Sequence, residues 1–235
     1  MYWRNKMTKF FDFKDGNGLV PAHQHSNGGG WVAESANVSK SAWVYGNAQV
    51  YGNAKVSGNA HVFGNAKVFG NAWVYGNAWV YDNTHVFGNA WVYGDAWVYG
   101  TAQVFGNGMV YGDATVHGNA WVHGNAKVYD TAWVYDTAQV YDSAWVHGNA
   151  QVFGNAQVHG NAHVRGNAKV EKSPINIIGI EYNITIYADL AQVGCKLYRI
   201  EKWKKFTADE VAEMDGEKSI NFYPKLLAIF SVLGL

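Results

Sequence analysis

The sequence predicts an all-β solenoid, a fold in which the chain coils and stacks short strands on one another. Three features of the 235-residue chain indicate it. Valine recurs at every sixth position from Val32 to Val170 without a slip, which makes 24 hexads. A small residue, usually alanine, stands two positions before each valine, and glycine and asparagine close most hexads. A period of six does not fit the 3.6-residue repeat of a helix and is too short for helical repeat units.

Each hexad supplies one short strand and one corner. The hexad at residues 72–77 reads Ala-Trp-Val-Tyr-Gly-Asn. Alanine and valine lie two positions apart, so on an extended strand both point to one side, while the two aromatic residues point to the other. Glycine and asparagine tolerate the positive φ that a sharp bend requires. We therefore expect a small, apolar interior and a varied, aromatic exterior.

This pattern resembles the hexapeptide repeat of left-handed parallel β-helix proteins. In that family an aliphatic residue, and a small residue two positions before it, point into a triangular prism with three hexads per coil. The resemblance covers residues 31–170 and implies about eight triangular coils. With about 4.8 Å between stacked strands, such a rod is roughly 38 Å long.

The regions outside the repeat predict a division into three parts. Residues 1–30 are aromatic and glycine-rich and would form an N-terminal cap, since both open ends of a solenoid need covering. Residues 31–172 would form the β-helix. Residues 173–235 would form a small α+β unit that caps, assembles or docks the rod.

Local patterns predict the elements of that C-terminal unit. Residues 175–186 alternate in hydropathy and residues 190–200 follow, which indicates a β-hairpin or two strands. Thr207 with Glu210 is typical of a capping box that opens a short helix. Tyr223 and Pro224 indicate the start of a last, apolar helix, because proline fits the first helical turn.

Composition narrows the classes of partner and the compartment. Lysine and arginine total 18 against 18 acidic residues, so we expect no nucleic-acid partner, because nucleic-acid binders need a large basic field. Residues 1–11 lack the apolar core of a secretory signal, and residues 226–235 are about half the ~20 residues of a membrane-spanning helix. We therefore expect a cytoplasmic protein with no membrane contact.

The nine histidines and the single cysteine predict no metal site and no cofactor. Most histidines replace aromatic or polar residues at outward positions of the hexad. A zinc site on His123, His159 and His163 would need the two-coil spacing of a γ-type carbonic anhydrase, whose paired ligands lie five residues apart, whereas these lie four apart. His23 and His25 alone give two ligands. Cys195 lies on a predicted strand, where a buried structural thiol is commoner than a reactive one.

The family resemblance also raises an enzymatic alternative. Several hexapeptide-repeat proteins are trimeric acyltransferases with sites between subunits, closed by a loop that interrupts the prism. The register never breaks in this chain, which disfavours that function. If the chain were such a transferase, a histidine such as His123 would be the general base.

The outward tryptophans are the main candidates for function. Nine of the 11 tryptophans stand directly before a repeat valine, and positions 18 apart would stack on one face. Such stacking could by itself explain the aromatic rings, but so much apolar surface also favours a protein partner or a homo-oligomer, dimeric or trimeric. The predicted partner-binding residues are Trp43, Trp79, Trp97, Trp133, Trp73, Trp91, Tyr75 and Tyr93 on the rod, with Phe222, Tyr223 and Phe230 in the C-terminal unit.

The sequence thus predicts a non-catalytic β-solenoid that binds a macromolecular partner. The segment of residues 21–32, followed by many Gly-Asn-Ala-x-Val units, resembles uncharacterised repeat proteins of bacteria and their phages. That resemblance implies a phage or prophage accessory protein that occupies a host enzyme or defence complex. The alternatives are the acyltransferase and a rod that binds polysaccharide along its rings.

Overall fold

The computed structural model describes residues 8–235, which divide into two compact units, one ending at residue 173 and the other comprising residues 174–235. The first unit begins with strands β1 (Lys9–Asp12), β2 (Leu19–Gln24) and β3 (Trp31–Ala33). The other strands of this unit have two residues each and end at a repeat valine. They are β4 (Asn37–Val38), β5 (Trp43–Val44), β6 (Gln49–Val50), β7 (Lys55–Val56), β8 (His61–Val62), β9 (Lys67–Val68), β10 (Trp73–Val74), β11 (Trp79–Val80), β12 (His85–Val86), β13 (Trp91–Val92), β14 (Trp97–Val98), β15 (Gln103–Val104), β16 (Met109–Val110), β17 (Thr115–Val116), β18 (Trp121–Val122), β19 (Lys127–Val128), β20 (Trp133–Val134), β21 (Gln139–Val140), β22 (Trp145–Val146), β23 (Gln151–Val152), β24 (Gln157–Val158), β25 (His163–Val164) and β26 (Lys169–Val170).

Successive hexads contribute in turn to three different sheets, and each repeat strand pairs in parallel with the strand three places later in the chain. The first sheet has the order β1-β2-β3-β6-β9-β12-β15-β18-β21-β24. The second sheet runs from β4 through β7 and every third strand to β25, and the third sheet runs likewise from β5 to β26. Paired residues are 18 apart, as Trp73 is with Trp91. The structure confirms the predicted solenoid of about eight turns.

The interior consists of columns of valine and alanine. The repeat valines from Val44 to Val164 are fully shielded from solvent, and so are the alanines between Ala42 and Ala162. Thr84 occupies one alanine position, and its hydroxyl is satisfied inside because it donates to the carbonyl of Tyr81 at 2.7 Å. A small, uniform core therefore runs through the solenoid.

Each turn is joined to the next by backbone hydrogen bonds. The N–H groups of Trp79, Tyr81 and Asn83 donate to the carbonyls of Ala96, Val98 and Gly100, at 2.9, 3.1 and 2.8 Å. At many corners the glycine allows a positive φ and also a close approach to the backbone of the next turn. A Cβ at Gly58, which has φ +65°, would lie 2.8 Å from the carbonyl oxygen of Gly76 in the next turn.

The N-terminal segment extends the first sheet with antiparallel strands. β1 pairs with β2, and β2 pairs with β3, the first strand of the repeat. Phe11 stacks on Trp31 with 4.4 Å between ring centroids, and Phe13 stacks on Tyr51 at 4.9 Å. These contacts place the segment over the free edge of the first solenoid strand. The first seven residues of the predicted cap lie outside the described residues.

The C-terminal unit contains a four-stranded antiparallel sheet and two helices. The strands are β27 (Ile175–Ile177), β28 (Ile184–Tyr187), β29 (Leu190–Val193) and β30 (Lys196–Arg199), paired in that order. The helices are α1 (Ile200–Trp203) and α2 (Ala208–Val232). The sequence predicted only two strands here, because the short turns between them divide each alternating stretch in two.

Helix α2 confirms one prediction about this unit and corrects another. The hydroxyl of Thr207 accepts the N–H of Glu210, and the Glu210 carboxylate accepts the N–H of Thr207, as a capping box requires. The predicted helix start at Tyr223 and Pro224 is wrong. The helical path is instead interrupted at Asp215 and Gly216, and Pro224 lies inside the second segment. No described helix has both the length and the apolar character that crossing a membrane demands.

Candidate interaction surface

The third sheet carries the richest aromatic surface of the solenoid. Its outward residues Trp43, His61, Trp79, Trp97, Thr115 and Trp133 are in register on successive turns, and we call this row the tryptophan face. Trp43, Trp97 and Trp133 expose 44%, 43% and 46% of their surface. Trp79 is half-buried. The predicted alignment of these residues is therefore present in the structure.

The rings of the tryptophan face lie nearly parallel to one another. Ring centroids are 6.0 Å apart for Trp43 and His61, 4.4 Å for His61 and Trp79, and 5.3 Å for Trp79 and Trp97. The corresponding interplanar angles are 2°, 13° and 12°. Parallel rings this close overlap in an offset stack, because side-by-side rings would collide. The stack therefore covers ring faces and leaves mainly ring edges to solvent.

The second sheet combines tryptophan with lysine. Trp73 stacks on Trp91 with 5.2 Å between centroids. The ammonium of Lys55 lies 4.3 Å from the ring centroid of Trp73, and that of Lys127 lies 4.6 Å from Trp145. Each lysine precedes its tryptophan by 18 residues, so a cation covers a ring face that no neighbouring ring covers.

A second aromatic column runs beside each of these rows, at the position after valine. Tyr75 stacks on Tyr93 and Tyr93 on Tyr111, each with 4.8 Å between centroids. Burial raises the pKa of the Tyr75 and Tyr93 hydroxyls above the usual value. These two predicted partner-binding residues are half-buried, and they form a wall beside the tryptophans of the second sheet.

The structure corrects the predicted docking residues of the C-terminal unit. Phe222 and Phe230 are 3% and 1% exposed, because the inner face of α2 packs them against β28 and β29 in the core of this unit. The hydroxyl of Tyr223 donates to the backbone carbonyls of Trp203 and Phe206. The two phenylalanines therefore stabilise the unit and offer no contact surface.

The histidines considered for zinc do not converge. His123 and His159 lie in one column with the ring of Tyr141 stacked between them, at centroid distances of 5.1 and 5.2 Å. His163 belongs to the second sheet, where it stacks on Trp145. Within residues 8–235, no group of three metal-binding side chains is arranged to hold an ion. Burial lowers the pKa of His123, which favours its neutral form.

The cysteine and the two N-terminal histidines are the remaining residues that the sequence offered for reactivity or metal binding. Cys195 is exposed in the turn between β29 and β30, so the prediction of a buried strand cysteine is wrong. Nδ1 of His23 lies 2.8 Å from a carboxylate oxygen of Glu34, whereas His25 is buried beside Asn27. The last two contacts hold the N-terminal segment together.

A cavity of about 230 Å³ in the C-terminal unit was not foreseen from the sequence. Its lining includes Tyr182, Cys195, Met214 and Asp215. The hydroxyl of Tyr182 donates to the carboxylate of Asp215, and burial together with this contact raises the pKa of Tyr182 to about 12. Two polar side chains of the cavity, Tyr182 and Asp215, are thus paired with each other.

Comparison with known proteins supports the fold. A family model described as the YdcK beta solenoid repeat matches residues 48–64, 102–118 and 110–124. The chain is a β-solenoid repeat protein. No curated protein and no solved structure matched the chain in the same comparisons. The resemblances to hexapeptide-repeat enzymes and to phage proteins stay predictions.

Proposed function

We propose that this β-solenoid is a non-catalytic interaction protein that binds a protein partner through its tryptophan face. The observation that carries the proposal is the row of exposed indoles on one face of one sheet, where Trp43, Trp97 and Trp133 each keep more than 40% of their surface in solvent. Soluble proteins rarely expose large contiguous apolar patches unless a partner covers them.

The chemistry of the face suits a protein. Tryptophan and tyrosine are enriched among the residues that dominate binding free energy at protein interfaces. The six residues of this row stand on successive turns, and the five steps of about 4.8 Å between them spread the row over roughly 24 Å. Each ring is fixed to a hydrogen-bonded sheet, so binding would cost little conformational entropy at this face.

The glycan alternative is less well supported by the ring orientation. Sugars bind flat against the faces of aromatic rings, and a long polysaccharide would need a row of open faces. In the stack from Trp43 to Trp97, neighbouring rings cover most of those faces. Open faces lie beside Thr115 and Trp133, where the stack is interrupted, and at Trp43, where it begins, so they do not form one continuous row.

A capture experiment in lysate of the source organism tests the proposal. The wild-type protein, a W97Q/W133Q variant and a W121Q variant serve as baits, with chemical cross-linking and mass spectrometry as the readout. Trp121 is a matched control because it is 38% exposed but lies on the first sheet between Gln103 and Gln139. Circular dichroism verifies that each bait is folded.

We expect a protein that is captured by the wild-type and W121Q baits and lost with W97Q/W133Q. If that protein is a second copy of the chain, sedimentation of the pure wild type will show concentration-dependent association that W97Q/W133Q abolishes. Capture that is equal for all three baits, or no specific capture with no self-association, would overturn the proposal.

A further inference from the structure

The tryptophan face contains one gap in its stack of rings. Trp97, Thr115 and Trp133 are in register on three successive turns, so Trp97 and Trp133 are about 10 Å apart with no ring between them. Among the described residues, the Thr115 side chain makes no hydrogen bond that would close this space, and it is only partly exposed at the base of the gap. His117 forms one side wall, since its ring meets that of Trp133 edge-on at 6.2 Å.

The same face shows what size of group fits such a gap. Trp43 and Trp79 are also two turns apart, and there the imidazole of His61 fills the space between them. Its ring lies parallel to both indoles within 13°, at centroid distances of 6.0 and 4.4 Å. The turns repeat with a constant spacing, so the gap at Thr115 has room for one flat group the size of an imidazole.

The second sheet shows what charge an open indole face accepts. Lys55 and Lys127 each place an ammonium over the tryptophan 18 residues later. Thr115 stands in the same relation to Trp133, but a threonine supplies no cation. Trp133 therefore presents a ring face that this chain covers with a cation at the equivalent positions of the neighbouring sheet.

The surroundings of the gap are acidic. Asp113 is exposed at the corner two residues before Thr115, and its carboxylate forms no hydrogen bond or ion pair within residues 8–235. Asp95 lies one turn earlier in the same corner column. The outward row of this sheet has no lysine or arginine from Trp43 until Lys169, three turns after Thr115. A cation would thus meet a favourable field at this gap.

We propose that the slot between Trp97 and Trp133 binds the guanidinium group of an arginine side chain on the partner protein. The inference rests on the proposed function and specifies the chemistry of that surface. A guanidinium is planar, so it fits a gap one ring wide between two indoles, and it is permanently charged, so it is attracted to an indole face. Asp113, exposed two residues before Thr115, supplies a carboxylate that can accept the guanidinium N–H donors.

The first test uses small probes on the intact protein, with no partner present. N-acetyl-arginine amide is titrated while the indole N–H resonances are followed by NMR, and N-acetyl-citrulline amide provides a probe of the same shape without charge. We expect the arginine probe to shift the Trp97 and Trp133 resonances and to bind about tenfold more tightly than the citrulline probe. Equal binding of the two probes, stronger binding of N-acetyl-tyrosine amide, or no shift at these indoles would overturn the inference.

Two substitutions at Thr115 give a matched pair of variants. T115K supplies an ammonium in the register of Lys127, so it should cover the face of Trp133 and weaken the arginine probe by about tenfold. T115V keeps the shape and leaves the slot open, so its affinity should equal that of the wild type. Retention of full affinity in T115K, or loss of it in T115V, contradicts a slot of this geometry.

Partner capture separates failure of this inference from failure of the proposed function. If T115K captures the partner as well as the wild type does while W97Q/W133Q loses it, the face binds protein but the arginine slot is wrong. If T115K and W97Q/W133Q both lose the partner and T115V retains it, both proposals are supported. A specific partner that neither variant loses overturns both.

Discussion

The carboxylate of Asp82 accepts a hydrogen bond from the backbone N–H of Gly100 in the next turn, with 3.1 Å between Oδ2 and N. Asp82 has a φ of +61°, in the left-handed region that favours glycine. Three further aspartates at glycine positions of the corner share both features, pairing Asp130 with Gly148, Asp136 with Gly154 and Asp142 with Gly160. The hydrogen bond between turns offsets the cost of a Cβ in this conformation.

Substitutions at Asp82 separate these two effects. D82A keeps a Cβ at positive φ and loses the acceptor, so we expect it to lower the free energy of unfolding by about 1–2 kcal/mol. D82G loses the acceptor but relieves the backbone, and it should lie within about 0.5 kcal/mol of the wild type. Unfolding curves in guanidinium chloride measure both free energies. Equal destabilisation by D82A and D82G would show that backbone strain at positive φ contributes nothing to the effect of D82A.

The sequence predicts the structure well in the repeat region, where the same packing constraint applies to every hexad. The valine period identifies the core because every hexad must point the same side chain inward, and sorting positions by 18 gives the membership of each surface row. It does not give the orientation of the rings, which depends on side-chain torsions. The covered faces between Trp43 and Trp97 and the open ones beside Thr115 are therefore seen only in three dimensions, although the threonine itself interrupts the row in the sequence.

Acidification should weaken the solenoid before any carboxylate is protonated. Burial is the largest cause that lowers the pKa of six outward histidines, His61, His85, His117, His123, His147 and His163. The unfolded chain protonates these groups near pH 6.5, so below that pH it binds more protons than the folded chain does. Stability should be full above about pH 6.5 and should fall as the pH is lowered towards 5.

Thermal melts at a series of pH values measure this effect. H123Y removes one titrating ring from a column that already contains tyrosine, so it should reduce the fall in melting temperature between pH 7 and 5. F87Y alters the same column without removing a titrating histidine and should leave the slope unchanged. A pH slope that H123Y does not alter would rule out His123 as a contributor.

The interruption of α2 depends on Gly216. This residue has φ +59° and ψ −138°, a conformation that residues with a Cβ adopt only under strain. Nothing lies within 4 Å of a Cβ built there, so G216A should act through the backbone alone and cost about 1–3 kcal/mol. Hydrogen exchange of residues 174–235 in the intact protein would show this as faster exchange. E217A, at an exposed neighbour, is the control, and unchanged exchange in G216A would contradict the assignment.

The position of Pro224 explains why the sequence predicted a helix boundary at the wrong residue. Proline usually marks the first turn of a helix, but Pro224 lies several residues inside the second segment of α2. Its missing N–H leaves the carbonyl of Ile220 without the usual helical partner, and Ile220 is exposed, so water can satisfy that carbonyl. The C-terminal unit has no repeat that fixes the boundaries of its helices. Its capping box could be predicted because that motif involves only the neighbouring residues Thr207 and Glu210.

Trp79 should contribute more than Trp133 to the stability of the solenoid, whereas Trp133 should contribute more to binding of the partner. Trp79 is stacked on both sides, by His61 and Trp97. Among residues 8–235, no ring lies parallel to that of Trp133, which keeps an edge-on contact with His117. Each stacked pair contributes about 0.5–1.5 kcal/mol beyond burial. We therefore expect W79A to lower the free energy of unfolding by about 1–2 kcal/mol more than W133A does.

Capture of the partner should rank these two variants in the reverse order, because the faces and edges of Trp133 are the more accessible. Unfolding curves and quantitative pull-downs on the same protein preparations provide the comparison. If W79A is the weaker binder in proportion to its lost stability and W133A binds normally, then the aromatic columns act only as supports that hold successive turns together. A loss of binding in W133A without a matching loss of stability assigns the exposed end of the row to recognition, because no stacking contact is removed there.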